Sequence, residues 1–438
     1  MDIAKSSIQT FIFKIAALFM ATIGGIISAR LLGPDGKGLL ALALLYPSLF
    51  FVFGHFNIGF ATVFRIGEKK FKKEEFAGTL FLLFAILSVA LIGIFIITYA
   101  IFQNNLYKNI PFYFLALGMG TLPLQIFLYF FSSFLQGIGK IFWFNFVNHL
   151  PRLLLPFLVI GFWFFYRYTA FEGILINIII YTLSAILIFM LISRFAPQKW
   201  KTNKSLLKQL LTDGSKLHLG TIATFTISRI DQIMIGLMLN ITSLGYYAVA
   251  TAIAELLWFM SSAVELVLYP KTSEENLDEA EERIKRSGRI VLFLTFCGGI
   301  IMAIASKYLI LLYGGKIFLP AITPLIILLP GIVLSSHSQI ISVLWVKKRW
   351  LLNISIFSMV NALLNILLNF IFIPRWGING AALATTITYS VIFIFYLLLY
   401  RVAIKKPILP IIIPQKDDLI KIKNSSIDFL KIFFKPKF

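Results

Sequence analysis

The chain has 438 residues, 59% hydrophobic and 13% charged, with a mean hydropathy of +0.89. That is about half the charge of a soluble domain, and the apolar residues come in blocks near or above the ~20 that cross a hydrocarbon core, which excludes a soluble enzyme. The net charge of +21 sorts with membrane topology rather than with a nucleic-acid partner, and one cysteine, Cys297, excludes an internal disulfide and a cysteine metal site.

Twelve helices are predicted, over residues 7–31, 39–64, 76–103, 111–135, 142–166, 171–194, 215–239, 243–270, 287–312, 318–346, 350–373 and 377–401. The first run is too long for a signal-peptide core and a second span follows it, so no cleavable leader is expected. With the N-terminus placed inside, thirty of the 40 Lys and Arg fall in inner links and seven in outer ones. That bias puts both termini in the cytoplasm and the chain in the cytoplasmic membrane. The outer links are all short, which leaves no room for an extracytoplasmic catalytic domain.

The basic link over 196–214 (Lys199, Lys201, Lys204, Lys208) divides the chain. It separates an N-lobe, 1–195, from a C-lobe, 215–401, each of six helices. The lobes read as a repeat. Gly38-Leu39-Leu40-Ala41-Leu42-Ala43 matches Gly245-Tyr246-Tyr247-Ala248-Val249-Ala250 at an offset of 207, as Glu172-Gly173 matches Asn379-Gly380, and Asn145 matches Asn353 at 208. An even number of helices per repeat gives both halves one orientation, related by a pseudo-two-fold along the membrane normal. The tail, 402–438, is too charged to span. Leu419, Ile422, Ile427, Leu430 and Phe434 give it one apolar face, expected to lie on the anionic inner leaflet.

Helix breakers recur at Gly24-Gly25, Pro47, Pro123, Pro151, Pro156, Pro320, Pro324 and Pro330. Proline frees a carbonyl and bends a helix, although such bends are common packing features in membranes. Functional hinges are expected at Gly24, Gly25 and Pro330.

The stretch Thr226–Glu255 carries the sharpest signal. Arg229 and Asp231 interrupt one apolar run and Glu255 the next. An ionised group at mid-span costs at least ~2.5–3.5 kcal/mol, so it is kept where it faces a wet cavity or a partner. Arg152 lies at a similar depth, ~18–21 Å from its inner helix end at 1.5 Å per residue. Two deep guanidinium groups suit an anion, and phosphate above all. Pairing of Arg229 with Asp231 or Glu255 is the structural alternative. Either acid could instead hold a coupling proton or Na⁺, an ion the sequence does not choose. Lys14 is a shallower intramembrane cation. The four histidines lack ligand spacing, so no metal is expected, although His55 and His337 fall near mid-depth. Asn353, Asn361, Asn365 and Asn369 share one face of helix 11 and are expected to glue helices together. Gly139-Lys140 is not a phosphate loop, because Phe134 and Ile141 stand where Gly and Ser/Thr are needed.

These residues bring a family into view. ARLLGPDGKGLLALA after helix 1, SRIDQIMIGLML followed by LGYYAVATAIAE, and LLYGGKIFLPA with IFIPRWGINGAALATTIT resemble the polysaccharide-biosynthesis flippases. Those are the Wzx-type members of the multidrug/oligosaccharidyl-lipid/polysaccharide exporter superfamily. The likeness runs over roughly residues 5–400. It implies two six-helix lobes in a V around a cationic cavity, and flipping of a polyprenyl-diphosphate-linked oligosaccharide by alternating access. It implies that Arg152 and Arg229 meet the diphosphate, with Lys14, Arg30 and His55 lining the same cavity, and that helices 1, 2, 7 and 8 open sideways for the lipid tail. Glycosyltransferases and a polymerase of the same pathway would be partners. Peptidoglycan-precursor flippases of the superfamily carry clustered arginines in helices 1 and 2, which this chain lacks. The rival readings are an ion-coupled drug or cation antiporter of the same fold and a membrane-embedded glycan polymerase or ligase. The first favours acids in the cavity and the second needs a catalytic outer loop.

Overall fold

The computed structural model describes residues 3–196, 199–415 and 417–418, with the backbone alone for 3–8. Among them the chain is all helix, without a strand. In order the helices are α1 (Ile3–Gly54), α2 (Ile58–Gly67), α3 (Lys73–Phe102), α4 (Phe112–Met119), α5 (Thr121–Gly137), α6 (Ile141–Phe165), α7 (Ala170–Phe195), α8 (Lys204–Met238), α9 (Ile241–Ala254), α10 (Trp258–Glu274), α11 (Leu277–Ile304), α12 (Ser306–Tyr313), α13 (Ile322–Lys347), α14 (Leu351–Ile404) and α15 (Leu409–Ile412). Nine segments among the described residues are long and apolar enough to cross a membrane. Two of these are helix pairs, because α1 breaks at Gly33 and α14 at Gly377. Both glycines have positive φ, 65° and 57°, which side-chain-bearing residues rarely adopt. Lys204–Met238 falls outside the nine because Arg229, Asp231 and Gln232 dilute it. The twelve expected spans are thus all present in a multi-pass membrane protein.

The boundaries differ where polar residues extend a helix into water. Helix 7 begins at Lys204 rather than 215, because the Asn203 side chain accepts from Ser205 N and Leu206 N and caps it. Most of the basic link is therefore the first turns of α8. Helix 9 likewise begins at Leu277, capped by Asn276. The expected second helix is broken at residues 55–57, between α1 and α2. The apolar face expected on the tail falls on 419–438, outside the described residues.

The helices gather into two compact units. One takes in the chain up to Ile253, Ser306–Leu325 and Leu352–Thr385. The other takes Ala254–Ala305, Ile326–Leu351 and the chain from Thr386 on. In the first unit the repeat shows as contact between equivalent positions. A Cβ on Gly38 would overlap Ile241 O, and one on Gly245 would overlap Pro34 O. Beside them the Thr242 hydroxyl donates to the Asp35 carboxylate, and these two are also 207 apart. Glycine lets the backbones of α1 and α9 touch there, as small residues do in membrane helix crossings.

In the second unit the start of the tail is fastened to α11. Buried Arg289 donates through Nε to Asp418 Oδ2 at 2.7 Å and through Nη1 to Pro410 O at 2.6 Å. Arg286 adds a second cation to Asp418, 3.2 Å away. Glu281 accepts from Tyr400 at 2.7 Å and from Lys406 at 3.0 Å. His337 lies against Phe393, with Nε2 3.3 Å from Ile411 O. Its setting is thus packing against the tail.

Candidate functional site

The site is built on α6. Phe144, Asn148 and Arg152 recur every fourth residue and so form one stripe along its face. At the start of the stripe is a cavity of about 520 Å³ between α2, α5 and α6. Phe60, Phe64 and Phe144 wall it, with Tyr129, Gln136 and Asn148 as its polar points. Its size is that of a ligand pocket. Asn148 spends its Nδ2 on Phe144 O at 2.9 Å. Ser132 and Ser133 are held by their own helix through Tyr129 O.

One turn along α6 stand His149 and Arg152. The charges of Arg152 and of Lys14, from α1, both reach the His149 ring, and that of Arg152 also reaches Tyr181 on α7. The His149 ring stacks on Phe13 at 6.3 Å, which ties this part of α6 to α1, and Asn145 Nδ2 donates to Thr10 Oγ1 at 2.8 Å a turn away. His149 Nδ1 is buried and finds no hydrogen-bond partner among the described residues. Arg152 is exposed and Lys14 half-buried. Three nitrogen bases thus share one patch, and chemically such a patch takes an anion with several oxygens. Sequence reasoning singled out Lys14 and Arg152 but not that both act on His149. The missed signal was His149, three residues before Arg152 and therefore on its side of the helix.

Arg30 lies apart from that patch. Its guanidinium donates to Leu312 O at 2.8 and 3.1 Å and to Leu311 O at 3.3 Å, and so caps the C-terminal carbonyls of α12. His55 is buried and its Nδ1 accepts from Asn57 N at 3.0 Å. Its ring packs against Phe51, Tyr129 and His218 at 4.7, 4.8 and 5.2 Å.

On α8, Arg229 is half-buried and donates Nη1 to Ser228 O at 3.2 Å, and its charge reaches Asp231. Asp231 is 1% exposed. Its Oδ2 accepts from Tyr247 at 2.6 Å and from Thr385 at 2.9 Å, and Oδ1 from Gln232 N at 2.7 Å. Neutral donors therefore satisfy it, with Arg229 as a further charge. Glu255, half-buried in the other unit, opens a 3₁₀ turn (Glu255–Leu257) between α9 and α10. No group of three His, Cys, Asp or Glu that would suit a metal occurs among the described residues.

Of the expected hinges, Gly24 and Gly25 lie in an unbroken stretch of α1. A Cβ on Gly24 would crowd Leu155, and one on Gly25 would overlap the Tyr313 hydroxyl. Pro330 is exposed on α13, and Thr386 Oγ1 donates to Ile327 O, one turn before it, at 2.6 Å. Three of the four helix 11 asparagines, Asn361, Asn365 and Asn369, are buried, and Asn369 Nδ2 bonds Asn365 O at 2.9 Å.

A family described as "Polysaccharide biosynthesis protein" matches residues 27–323. Over 408 residues the chain is 23% identical to the probable low-salt glycan biosynthesis flippase Agl15 of Haloferax volcanii, covering 89% of this chain and 82% of that one. Among solved structures it resembles the lipid II flippase MurJ in an inward closed conformation. The TM-score is 0.70 at 17% identity, over 98% of this chain and 93% of that one. An inward-facing multidrug resistance MATE family transporter of the MOP superfamily is similar at a TM-score of 0.65 and 15% identity, over 89% and 94%. At these identities the structures show the fold, and it is the exporter fold that the sequence motifs resemble.

Proposed function

The chain belongs to the polysaccharide biosynthesis protein family, and from that premise we propose that it is a flippase for a polyprenyl-diphosphate-linked oligosaccharide, working by alternating access. The observation that carries this reading is the patch of Lys14, His149 and Arg152 at the head of the α2/α5/α6 cavity. A headgroup of sugars and two phosphates must pass a ~30 Å apolar layer while its prenyl tail stays in lipid. Cations held at depth lower the cost for the diphosphate. The amide and hydroxyl groups of Gln136, Asn148 and Tyr129 offer partners to sugars. Arg229 is a second anion contact in this account, and Asp231 and Glu255 are its candidates for carrying a coupling H⁺ or Na⁺. Gly24, Gly25 and Pro330 remain its proposed bending points. The names of the flippase relatives support the substrate class, and glycosyltransferases and a polymerase of one pathway are the partners it predicts. The test is flipping of a fluorescent polyprenyl-diphosphate-linked sugar in vesicles, wild type against Arg152→Ala and Arg229→Ala. Unchanged rates in both would remove these residues from the pathway.

One observation favours a second reading. A buried acid satisfied by hydroxyls, Asp231, is what a cation antiporter of this fold would also need. Export of cationic dyes from intact cells, lost in Asp231→Asn, would support that reading over the first.

A further inference from the structure

The second span departs from the single helix expected over 39–64. Gly54 and Gly59 flank residues 55–57 and Asn57 is a weak helix former, but the apolar run carries through them. Yet the helix is broken at His55, Phe56 and Asn57, and the last two stand in the left-handed region with φ of 47° and 51°. Asn enters that region readily but Phe rarely does, so Phe56 is held there by its surroundings.

The surroundings here are α8. A Cβ on Gly214 would overlap Phe56 O, so the absence of a side chain there makes room for the turn. Asn57 Nδ2 donates to Thr221 Oγ1 at 2.9 Å, and Tyr129 donates to Asn57 Oδ1 at 3.2 Å. His218 Nε2 lies 3.0 Å from Phe53 O, and its ring packs on Phe56 at 5.2 Å. Further along, Arg65 at the end of α2 holds Asp213 through Nε at 2.7 Å and through Nη2, with Glu68 on its Nη1 at 2.9 Å. Apart from Tyr129 and Glu68, which brace the turn and Arg65 from their own side, these contacts join α1 and α2 to α8, and they lie toward the lysine-rich end of the helices.

We propose that residues 55–57 and Arg65, closed on Asp213, Gly214, His218 and Thr221, are the latch that shuts the transport pathway at its lysine-rich end. The break in the second span is its moving part. Closed, the turn is bent against α8; released, it straightens and joins α1 to α2. A latch must also let go. The Arg65–Asp213 pair is partly exposed, 17% and 20%, so water can replace it at little cost. The opposite end differs, since there the backbones of α1 and α9 meet at glycines beside the Thr242–Asp35 hydrogen bond. This inference rests on the transport reading above and adds to it the element that switches access.

The experiment uses the full chain with Cys297→Ser. Spin labels on Lys69→Cys and Lys208→Cys, both exposed at that end, report the distance across the latch. The expected result is one short distance in the parent. Arg65→Ala, and separately Gly214→Val, should add a longer population at least tenfold above any in the parent. An identical distribution in all three proteins would overturn the latch. A second arm replaces Asn57 and Thr221 by cysteines and measures flipping of a fluorescent polyprenyl-diphosphate-linked disaccharide. Oxidation should cut flipping at least tenfold and dithiothreitol should restore it. Full flipping by the cross-linked protein would also overturn the latch. If the Cys297→Ser parent flips nothing, the flippase reading fails and the distance arm alone decides the latch.

Discussion

Two charged places in the same unit are finished in opposite ways. At Asp231 both carboxylate oxygens are taken, by Tyr247, Thr385 and Gln232 N, and the side chain is sealed from solvent. At the α6 patch the Arg152 guanidinium is exposed, Lys14 of α1 is half-buried, and His149 Nδ1 has no hydrogen-bond partner among the described residues. Buried polar groups are nearly always satisfied within a fold. A satisfied group belongs to the architecture as it stands, whereas we read the open cationic patch as the place where the proposed anion binds. The difference predicts that changes at the open patch act on transport and changes at the closed sites act first on stability.

The largest effect should come from emptying the patch. Lys14→Ala with Arg152→Ala removes two charge-assisted contacts, each worth about 1.5–3 kcal/mol. Flipping in vesicles should fall by about a hundredfold or more while the melting temperature stays put. A large loss of stability with it would break the comparison.

Next come the sealed charges. Asp418→Ala leaves Arg289 buried without its carboxylate, and breaking such a pair costs about 3–5 kcal/mol. Denaturant unfolding should register most of that. Asp231→Ala strips the acceptor from two hydroxyls and a backbone N–H, at about 1–3 kcal/mol. Asp231→Asn keeps most of the shape and should cost less. If the Asn variant stays stable yet stops transporting, Asp231 has a coupling role beyond its structural one, which would sharpen the contrast.

The smallest effect is that of pH. Burial pushes the Asp418 carboxyl up, but the hydrogen bonds from Arg289 and Gln415 N and the charges of Arg289 and Arg286 outweigh it and hold the group below its ordinary 3.8. Asp213 is likewise pushed up by burial and drawn further down by Arg65 and Lys216. A depressed carboxylate contributes its full stability above the ordinary value and loses it as pH falls through the folded one. Unfolding midpoints should therefore be flat in these two groups from pH 8 to 5 and fall only below about 4.

Much of the fold was legible because a bilayer makes the local signal strong. Apolar runs of spanning length and the glycines at 38 and 245 are local facts, and they mark the helices and the place where α1 meets α9. The site was legible only in part. Lys14 and Arg152 announce themselves as misplaced charges, but their meeting at His149 depends on how α1 packs on α6. The partners of Asp231 lie 16 and 154 residues away, and Asp418 lies 129 from Arg289, separations that no periodicity reports. The break at 55–57 did leave a local mark, Gly54, Asn57 and Gly59, which the length of the apolar run outvoted, whereas its contacts with α8 are distant in sequence.

The central claim is that the α6 patch exists for a diphosphate. The most direct measurement is calorimetric binding of geranylgeranyl diphosphate and of geranylgeraniol to the purified chain, beside the Lys14→Ala/Arg152→Ala variant. The account predicts that the diphosphate binds the parent at least tenfold more tightly than the variant, and that the alcohol shows no such difference. Equal affinity of parent and variant for the diphosphate would contradict it.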